Sequence, residues 1–424
     1  MDWKKNLNRI VLLGIVWVLL TACGQATPAP VSSTPTREPV ATFTPSPQPP
    51  TATLAPSSTP EPVATATLIP NYPPEGYGPG GFPADVNPLT GLRVADPNLL
   101  NRRPIVIKVE NLPREHRPQY GLSLADLVFE YYTEQGTTRF AAVFYGQDAE
   151  KVGPIRSGRF FDVHVVQMYR AVFIFGSAYS AVFNRFASSD FASRMVLENP
   201  QSCPALCRFE PEGRNFLMAN TRELGAYLKS RNVDNSRQPL DGMYFNLQAP
   251  AGGEAGEQVY VRYSGAIYNR WDYDPATGRY LRIVDAKDDV NRNNPQYVQL
   301  TDALTNQPVA ADTVVTLCVP HEYFFKSTEI EVLDMKMDAS AGSYRGCDGQ
   351  IYSGGTGAAY VARDGKIYKA QWSRPRQDAP LTLLDEQGNL FPFKPGQTWF
   401  EVIGASSKVE KSDNGYRFTF AIAP

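Results

Sequence analysis

The sequence predicts an α+β protein of the layered α/β type, with mixed sheets, helices mainly in the N-terminal half and a strand-rich C-terminal half. The chain has 424 residues, of which 42% are hydrophobic and 12% aromatic, enough for one large or two medium domains. Helix-start signals occur before residue 230, whereas short β-prone runs separated by turn residues recur after residue 255. Together these observations place helices early and sheet late.

The N-terminus has the order of an export signal. Lys4, Lys5 and Arg9 precede an apolar stretch at 10–20 that is too short for a permanent membrane-spanning helix. The following Leu20-Thr21-Ala22-Cys23 is similar to the lipobox of bacterial lipoproteins. That resemblance implies removal of a signal peptide, residues 1–22, and lipidation of Cys23 at the extracytoplasmic face of the cell membrane. The alternative is an uncleaved N-terminal anchor with an incidental cysteine.

Residues 23–81 are dominated by Pro, Thr, Ser and Ala, a composition with little apolar surface to bury. It predicts a disordered, extended tether, followed by a first region at 82–245 and a second region at 250–424. The formal net charge of −2 is spread along the chain without a basic stripe, so nucleic acid is not an expected partner. The expected partners are the membrane, through the lipid anchor, and an envelope ligand or protein.

Besides Cys23, the chain has Cys203, Cys207, Cys318 and Cys347. An even number in an exported protein favours two disulfides. A local Cys203–Cys207 loop would leave Cys318 with Cys347, but the sequence leaves all three pairings open. A metal site is not expected, because the spacing is not Cys-x-x-Cys and the chain has only three histidines. No cofactor is expected either.

The first region begins with β-prone runs. The pattern predicts strands at 105–111, 125–132, 138–145 and 171–176. Gln135-Gly136 would join the second strand to the third as a hairpin, with Tyr132 opposite Arg139 and Glu130 diagonal on the same face. In that register Glu130 and Arg139 would neutralise each other, or Arg139 would serve a ligand that Glu130 orients.

Two helices are expected in the same region. Gly153-Pro154 breaks the chain, Ser157 would cap a helix that reaches about Met168, and a second helix would run from Leu217 through Leu228. The second region reads as sheet, with a hairpin turn at Asp364-Gly365. Its predicted strands are at 259–263, 280–284, 314–319, 358–363, 366–372, 381–384 and 398–403.

Several motifs occur in one order along the chain. They are Asn87-Pro88-Leu89-Thr90-Gly91, Ala125–Glu130, Gly153–Arg159, Trp271–Asp274 and the stretch 365–404. In these motifs the chain resembles the DUF3048, or YerB-like, family of bacterial lipoproteins. The resemblance implies two consecutive family regions and a layered α/β fold, and it implies no activity. The chain departs from the family at Ala219-Asn220, where members tend to have His-Asn, so a role that needs this histidine is not expected.

The segment Pro154–Arg159 is the strongest candidate for ligand binding. If Ser157 began a helix, free backbone N–H groups and the guanidinium groups of Arg156 and Arg159 would converge, a combination that attracts carboxylate or phosphate. The alternative is that both arginines pair with acidic neighbours and stabilise the sheet. Ser177 follows a buried strand at the end where α/β sheets commonly bind ligands. The full candidate set is Glu130, Arg139, Arg156, Ser157, Arg159, Ser177 and Asn220.

Three functions are compatible with these features. The first is a lipid-anchored envelope protein that binds an anionic or polar ligand through the arginine and serine cluster. The second is a cell-envelope hydrolase that uses Glu110 or Glu130 as acid or base. The third is a structural partner of another envelope protein. A serine nucleophile is only weakly signalled, because Ser177 lacks the Gly-x-Ser-x-Gly elbow and His164 is expected to be a structural imidazole.

Overall fold

The computed structural model describes residues 71–422. The predicted signal peptide, Cys23 and the tether up to residue 70 lie outside the described residues. The last part of the predicted tether, 71–81, is folded: Tyr77 N donates to Phe245 O at 2.9 Å, and the rings of Tyr72 and Tyr77 pack edge to face at 5.0 Å. The predicted tether therefore extends too far, because two tyrosines give this Pro-rich stretch apolar surface to bury.

The described chain is a strand-rich α+β fold. The strands of the first region are β1 (Val86–Asn87), β2 (Leu92–Arg93), β3 (Ile105–Glu110), β4 (Leu127–Tyr132), β5 (Thr138–Phe144), β6 (Val172–Ile174), β7 (Met195–Val196), β8 (Leu206–Phe209) and β9 (Phe216–Ala219). Those of the second region are β10 (Glu254–Ala255), β11 (Gln258–Arg262), β12 (Tyr268–Asp274), β13 (Arg279–Asp285), β14 (Tyr297–Gln299), β15 (Ala310–Ala311), β16 (Thr313–Val319), β17 (His321–Lys326), β18 (Glu331–Met335), β19 (Ser343–Arg345), β20 (Ile351–Ser353), β21 (Thr356–Arg363), β22 (Lys366–Ser373), β23 (Thr382–Leu384), β24 (Thr398–Gly404), β25 (Lys408–Ser412) and β26 (Gly415–Thr419). The α-helices are α1 (Phe161–Met168), α2 (Ser180–Ala187) and α3 (Thr221–Ser230).

Strands from both regions form one 11-stranded sheet, in the order β10-β22-β21-β16-β24-β4-β5-β3-β6-β7 with β23 on β22. β24 lies inside it, parallel to β16 of the second region and to β4 of the first. Every residue of β3, β4 and β16 is buried, as expected of central strands that are covered on both faces. The two regions thus share a single sheet.

Each face of the large sheet packs against different elements. On one face, a hydrophobic cluster joins Val128 to Trp271 of a seven-stranded sheet, whose order is β14-β13-β12-β11-β26-β25 with β15 on β13. On the other face, a second cluster joins Phe129 to Phe161 of α1. Successive residues of a strand point to opposite faces, which is why neighbouring β4 residues belong to different clusters.

Both predicted helices begin later than expected. Ser157 lies outside α1 and does not cap it; instead, the side chain of Asp162 accepts a hydrogen bond from Arg159 N at 2.7 Å. Leu217 belongs to β9, and α3 begins only at residue 221. A short apolar run fits a strand and a helix equally well, so the pattern assigned residues 217–219 to the wrong element.

The β4–β5 hairpin forms as predicted, but its register differs by one residue. Tyr131, and not Tyr132, is opposite Arg139, because the turn is centred on Gln135. A one-residue shift moves a side chain to the other face of the sheet. Glu130 and Arg139 therefore point to opposite faces, and the predicted neutralisation of one by the other is wrong.

A buried ionic cluster joins the two sheets. Glu130 of β4 and Glu401 of β24 are neighbours in the large sheet, and both contact the guanidinium group of Arg282 from β13 in the second sheet. Arg282 Nη1 donates to Glu401 Oε1 at 3.0 Å, and Trp271 Nε1 donates to the same oxygen at 2.8 Å. The three charged side chains are at most 1% exposed. Burial raises the pKa of Glu130; Arg282 opposes this shift, and Glu401 adds to it.

The structure pairs Cys203 with Cys207 and Cys318 with Cys347, with Cα–Cα distances of 5.0 and 5.9 Å. The first bond joins Cys203, just before β8, to Cys207 within β8. The second joins Cys318 of β16 to Cys347 in the turn after β19. Both thus anchor short segments of the fold. Among residues 71–422, no helix is long and apolar enough to cross a membrane.

We expect Arg282→Met to lower the free energy of unfolding by about 3–5 kcal/mol at pH 8, because two buried carboxylates lose their counter-charge. A carboxyl group whose pKa is raised in the folded state favours folding at low pH and disfavours it at high pH, so the loss should be smaller at pH 5. Urea denaturation at both pH values measures the effect. The control is Arg376→Met, at a side chain that is 68% exposed, for which a change below about 1 kcal/mol is expected. An equally small change for Arg282→Met at both pH values would contradict the structural role.

Candidate functional site

A surface cavity of about 230 Å³ opens where several segments of the first region meet. It lies beyond the end of β6, beside the segment 154–157 and against the β8–β9 hairpin. Its lining is mainly polar and includes His116, Arg156, Ser157, Gly176, Ser177, Arg208, Arg214, Asn215 and Phe216. Three residues predicted from the sequence, Arg156, Ser157 and Ser177, are therefore brought together.

Backbone hydrogen bonds explain why these residues meet. Arg156 N donates to Lys108 O of β3 at 2.9 Å, and Gly176 N donates to Arg156 O at 3.0 Å. The chain after β6 is thereby held against the chain before α1. Ser157 Oγ and Ser177 Oγ consequently lie 2.8 Å apart and share a hydrogen bond. This pair of hydroxyl groups adds donors and acceptors to the cavity wall.

Arg156 carries the most available positive charge of the cavity. Its Nε contacts Glu110 Oε2. The carboxylate is 1% exposed and the arginine side chain 40% exposed, so the carboxylate lies behind the guanidinium group as seen from solvent. Among the described residues, no hydrogen-bond partner is found for the two Nη groups of Arg156. They can offer a planar fork to a carboxylate or another oxyanion.

His116, which lines the cavity, pairs with Glu110, which lies behind Arg156. His116 Nδ1 is hydrogen-bonded to Glu110 Oε1, and the imidazole packs edge to face on Phe216 at 4.6 Å. Gln119 Nε2 donates to Glu110 O at 3.0 Å and fixes the end of β3. Burial raises the pKa of Glu110, whereas Arg156 and His116 oppose the shift.

Two further arginines stand at the rim. Arg208 donates from Nε and Nη2 to the two carboxylate oxygens of Glu198 at 2.8 and 2.7 Å. Arg214 pairs with Glu212 at 2.8 Å. Both arginines are partly exposed, and each is compensated by its own carboxylate. They therefore add to the positive surroundings of the cavity but have fewer available donors than Arg156.

Arg139 and Arg159 lie outside the cavity lining. Arg139 Nη2 and Arg159 Nε donate to Glu134 at 3.0 and 2.6 Å, and Arg139 Nη1 donates to Ser157 O at 2.9 Å. Burial alone would raise the pKa of Glu134, but the two arginines hold it below its ordinary value. These contacts fit the alternative in which arginines pair with an acidic neighbour and stabilise the fold.

The remaining candidates also lie elsewhere. Glu130 is in the buried cluster with Arg282, on the face of the sheet opposite to Arg139. Asn220 caps α3, where its side chain accepts the backbone N–H two residues later at 3.1 Å. Gly158, between Ser157 and Arg159, makes room for Phe186, since a Cβ at residue 158 would lie 2.7 Å from that ring.

The other histidines have structural partners. His164 Nε2 is bonded to Met335 O at 2.8 Å and its Nδ1 to Arg374 at 2.8 Å, and burial lowers the pKa of His164 to about 4. His321 Nδ1 is bonded to Val319 O at 2.7 Å. In the part of the chain that the structure describes, no group of three or more His, Cys, Asp or Glu residues is arranged to hold a metal ion.

Sequence reasoning missed His116, Arg208 and Arg214. The last two reach the cavity because β8 pairs with β9, and Val152 before the cavity segment forms a bridge with Ala219 of β9. One signal was present: Cys207-Arg208-Phe209 alternates in polarity directly after a short disulfide loop, as the first strand of a hairpin would.

Two family models match the chain. The one described as "Protein of unknown function (DUF3048) N-terminal domain" matches residues 89–234, and the one described as "Protein of unknown function (DUF3048) C-terminal domain" matches residues 259–400. The chain belongs to the DUF3048 family, which confirms the resemblance seen in its motifs.

YerB of Bacillus subtilis extends this finding, once by sequence and once by structure. The chain is 24% identical over 323 residues to "Putative lipoprotein YerB" of Bacillus subtilis (strain 168), an alignment that covers 74% of this chain and 85% of that protein. The fold of this chain is similar to that in the crystal structure of the YerB protein from Bacillus subtilis, with a TM-score of 0.59 and 20% identity. The alignment covers 76% of this chain and 97% of that chain. At this identity the structural similarity shows a shared fold.

We expect Glu134→Gln to lower the free energy of unfolding by about 1–3 kcal/mol, because two partly buried guanidinium groups lose their carboxylate. Chemical denaturation measures this change. Glu150→Gln is the matched control, since Glu150 forms an exposed pair with Arg222 and should contribute less than about 1 kcal/mol. Equal, small losses in both variants would show that Glu134 does not hold the two arginines for stability.

Proposed function

We propose that this chain is a lipid-anchored, extracytoplasmic protein of the cell envelope that binds a small anionic ligand in the cavity beside Arg156. The observation that carries the proposal is the guanidinium fork of Arg156, which faces the cavity while Glu110 holds its Nε from behind. Arg208 and Arg214 at the rim support it, because cations around a concave site attract anions.

The chemistry of the lining suggests the class of ligand. A guanidinium fork matches the spacing of two oxygens on a carboxylate, sulfate or phosphate group. The Ser157–Ser177 hydroxyl pair beside it is suited to further oxygen atoms of the same ligand. A cavity of about 230 Å³ is smaller than typical drug-sized pockets, which favours a compact ligand or the charged end of a longer one.

The N-terminal sequence supports the envelope part of the proposal. Basic residues, an apolar stretch and Cys23 stand in the order of a lipoprotein signal. The Bacillus subtilis relative carries the name "Putative lipoprotein YerB". A head attached through Cys23 and a Pro-rich tether would act outside the membrane.

The hydrolase alternative has no specific observation in its favour. Glu130 is fully buried against Arg282, and Glu110 is 1% exposed behind Arg156. A glycosidase needs two carboxyl groups that flank a substrate bond, and the described cavity lining contains neither residue.

Anion binding is tested by isothermal titration of the protein with sulfate, phosphate and acetate. We expect saturable binding of at least one anion and at least about tenfold weaker binding to Arg156→Met, because a charge-assisted hydrogen bond contributes about 1.5–3 kcal/mol. Arg222→Met, at an exposed arginine paired with Glu150, is the control and should bind as the wild type does. If none of the three anions binds the wild-type protein, the proposal is wrong.

Membrane attachment is tested in a bacterial host by labelling with a palmitate analogue and cell fractionation. We expect the wild-type chain to be labelled and found with the membrane, and Cys23→Ala to lose the label because the acylated thiol is gone. Cys203→Ala leaves the lipobox intact and should keep the label. An unlabelled wild-type chain in the soluble cell fraction would refute the lipid anchor.

A further inference from the structure

The positive charge of Arg156 is already balanced by the buried carboxylate of Glu110, so a bound anion would add a second negative charge beside it. The Glu110 carboxylate compensates Arg156 from the buried side, and its second oxygen is held by His116. An anion on the Nη groups of Arg156 would leave one guanidinium group between two negative groups. Since Glu110 is buried, water cannot screen this excess charge well.

We propose that the Glu110–His116 pair couples anion binding to proton uptake, so that the cavity holds its anion more tightly as the pH falls. This inference rests on the proposed function and adds its regulation. One proton on the pair restores the charge balance that the anion upsets, whichever of the two residues carries it. By linkage, an anion that raises proton affinity is itself bound more tightly where protons are available.

The other charged groups near Glu110 and His116 do not account for the proton uptake. Arg139 lies opposite Glu110 on β5 but is held by Glu134, and Arg214 near His116 is paired at the rim. These groups stay charged throughout the relevant range. Burial raises the pKa of Glu110 above its ordinary value, although Arg156 and His116 oppose this shift.

Lys108 is the one competing group on this face of β3. Burial lowers the pKa of Lys108 to about 7, but its Nζ faces Tyr131 and Asp162 and not the cavity. A proton taken up by Lys108 would be unaffected by a change at Glu110. The Glu110→Gln variant therefore separates the two sources.

The experiment is a sulfate titration between about pH 5 and pH 8, in buffers with different ionisation enthalpies. Sulfate keeps a constant charge over this range, so that every proton taken up goes to the protein. We expect up to one proton per sulfate and an affinity that rises by up to about tenfold for each unit of falling pH. Glu110→Gln should take up less than half as many protons, show a nearly flat profile and bind sulfate more tightly than the wild type at pH 8.

The outcomes distinguish this inference from the proposed function. Saturable sulfate binding without proton uptake overturns the coupling but leaves anion binding intact. Absence of sulfate binding at every pH also overturns the coupling, and it overturns the proposed function as well if phosphate and acetate do not bind either. An unchanged pH slope in folded Glu110→Gln also overturns the coupling through this pair. If that variant does not fold, the carboxyl and imidazole NMR shifts of the wild-type protein, followed through the same sulfate titration, should show a proton gained by Glu110 or His116, and no change at either residue refutes the inference. Glu150→Gln should retain the wild-type slope.

Discussion

The guanidinium group of Arg282 is the interaction on which the relation between the two sheets depends. Taking an arginine and two glutamates out of water costs several kcal/mol per ion unless each charge is paired and hydrogen-bonded. Glu130 and Glu401 come from adjacent parallel strands of the large sheet, so their side chains reach the same face at the same height. Arg282 can satisfy both only in one position of the second sheet. The cluster thus favours one packing of the sheets over shifted alternatives, which hydrophobic contacts alone distinguish poorly.

The same cluster extends to the cavity. Glu130 Oε1 accepts a hydrogen bond from Asn111 Nδ2 at 3.1 Å. Asn111 Oδ1 in turn accepts from Arg117 Nη2 at 2.9 Å, and Arg117 Nη1 donates to Asp285 O at 2.9 Å. The turn that carries His116 is therefore tied to both sheets. The position of His116 against the end of β3 follows from the packing of the core, although His116 itself lies at the surface of the cavity.

Sequence reasoning found the elements whose signal is local. The strands around Val128, Val315 and Val402 are apolar on both faces and could be recognised without knowledge of their partners. The register was harder to predict. The hairpin formed as expected, but its pairing differs by one residue, which gives Glu130 and Arg139 other cross-strand partners than predicted. An error in the predicted position of the turn therefore also gives wrong ion pairs across the hairpin.

Part of the site could be predicted for the same reason. Arg156 and Ser157 are adjacent in sequence, and Ser177 follows a strand end, whereas His116 and Arg208 arrive through pairings that no local pattern encodes. Residues that converge only through long-range strand pairing require the topology first.

The late start of α1 changes how the cavity can recognise an anion. With a helix beginning at Ser157, backbone N–H groups and the helix dipole would supply part of the attraction. In the structure, Ser157 lies before the start of α1. The two arginines of the motif have different surroundings: Arg159 pairs with Glu134, whereas Arg156 faces the cavity. In the proposed function, recognition of the anion would then depend on guanidinium and hydroxyl groups, which are directional. A site of this kind would select ligands by the geometry of their oxygen atoms as well as by charge. Because Glu110 contacts Nε of Arg156 and so orients its guanidinium fork, the proposed selectivity would depend on Glu110 as well as on the arginine.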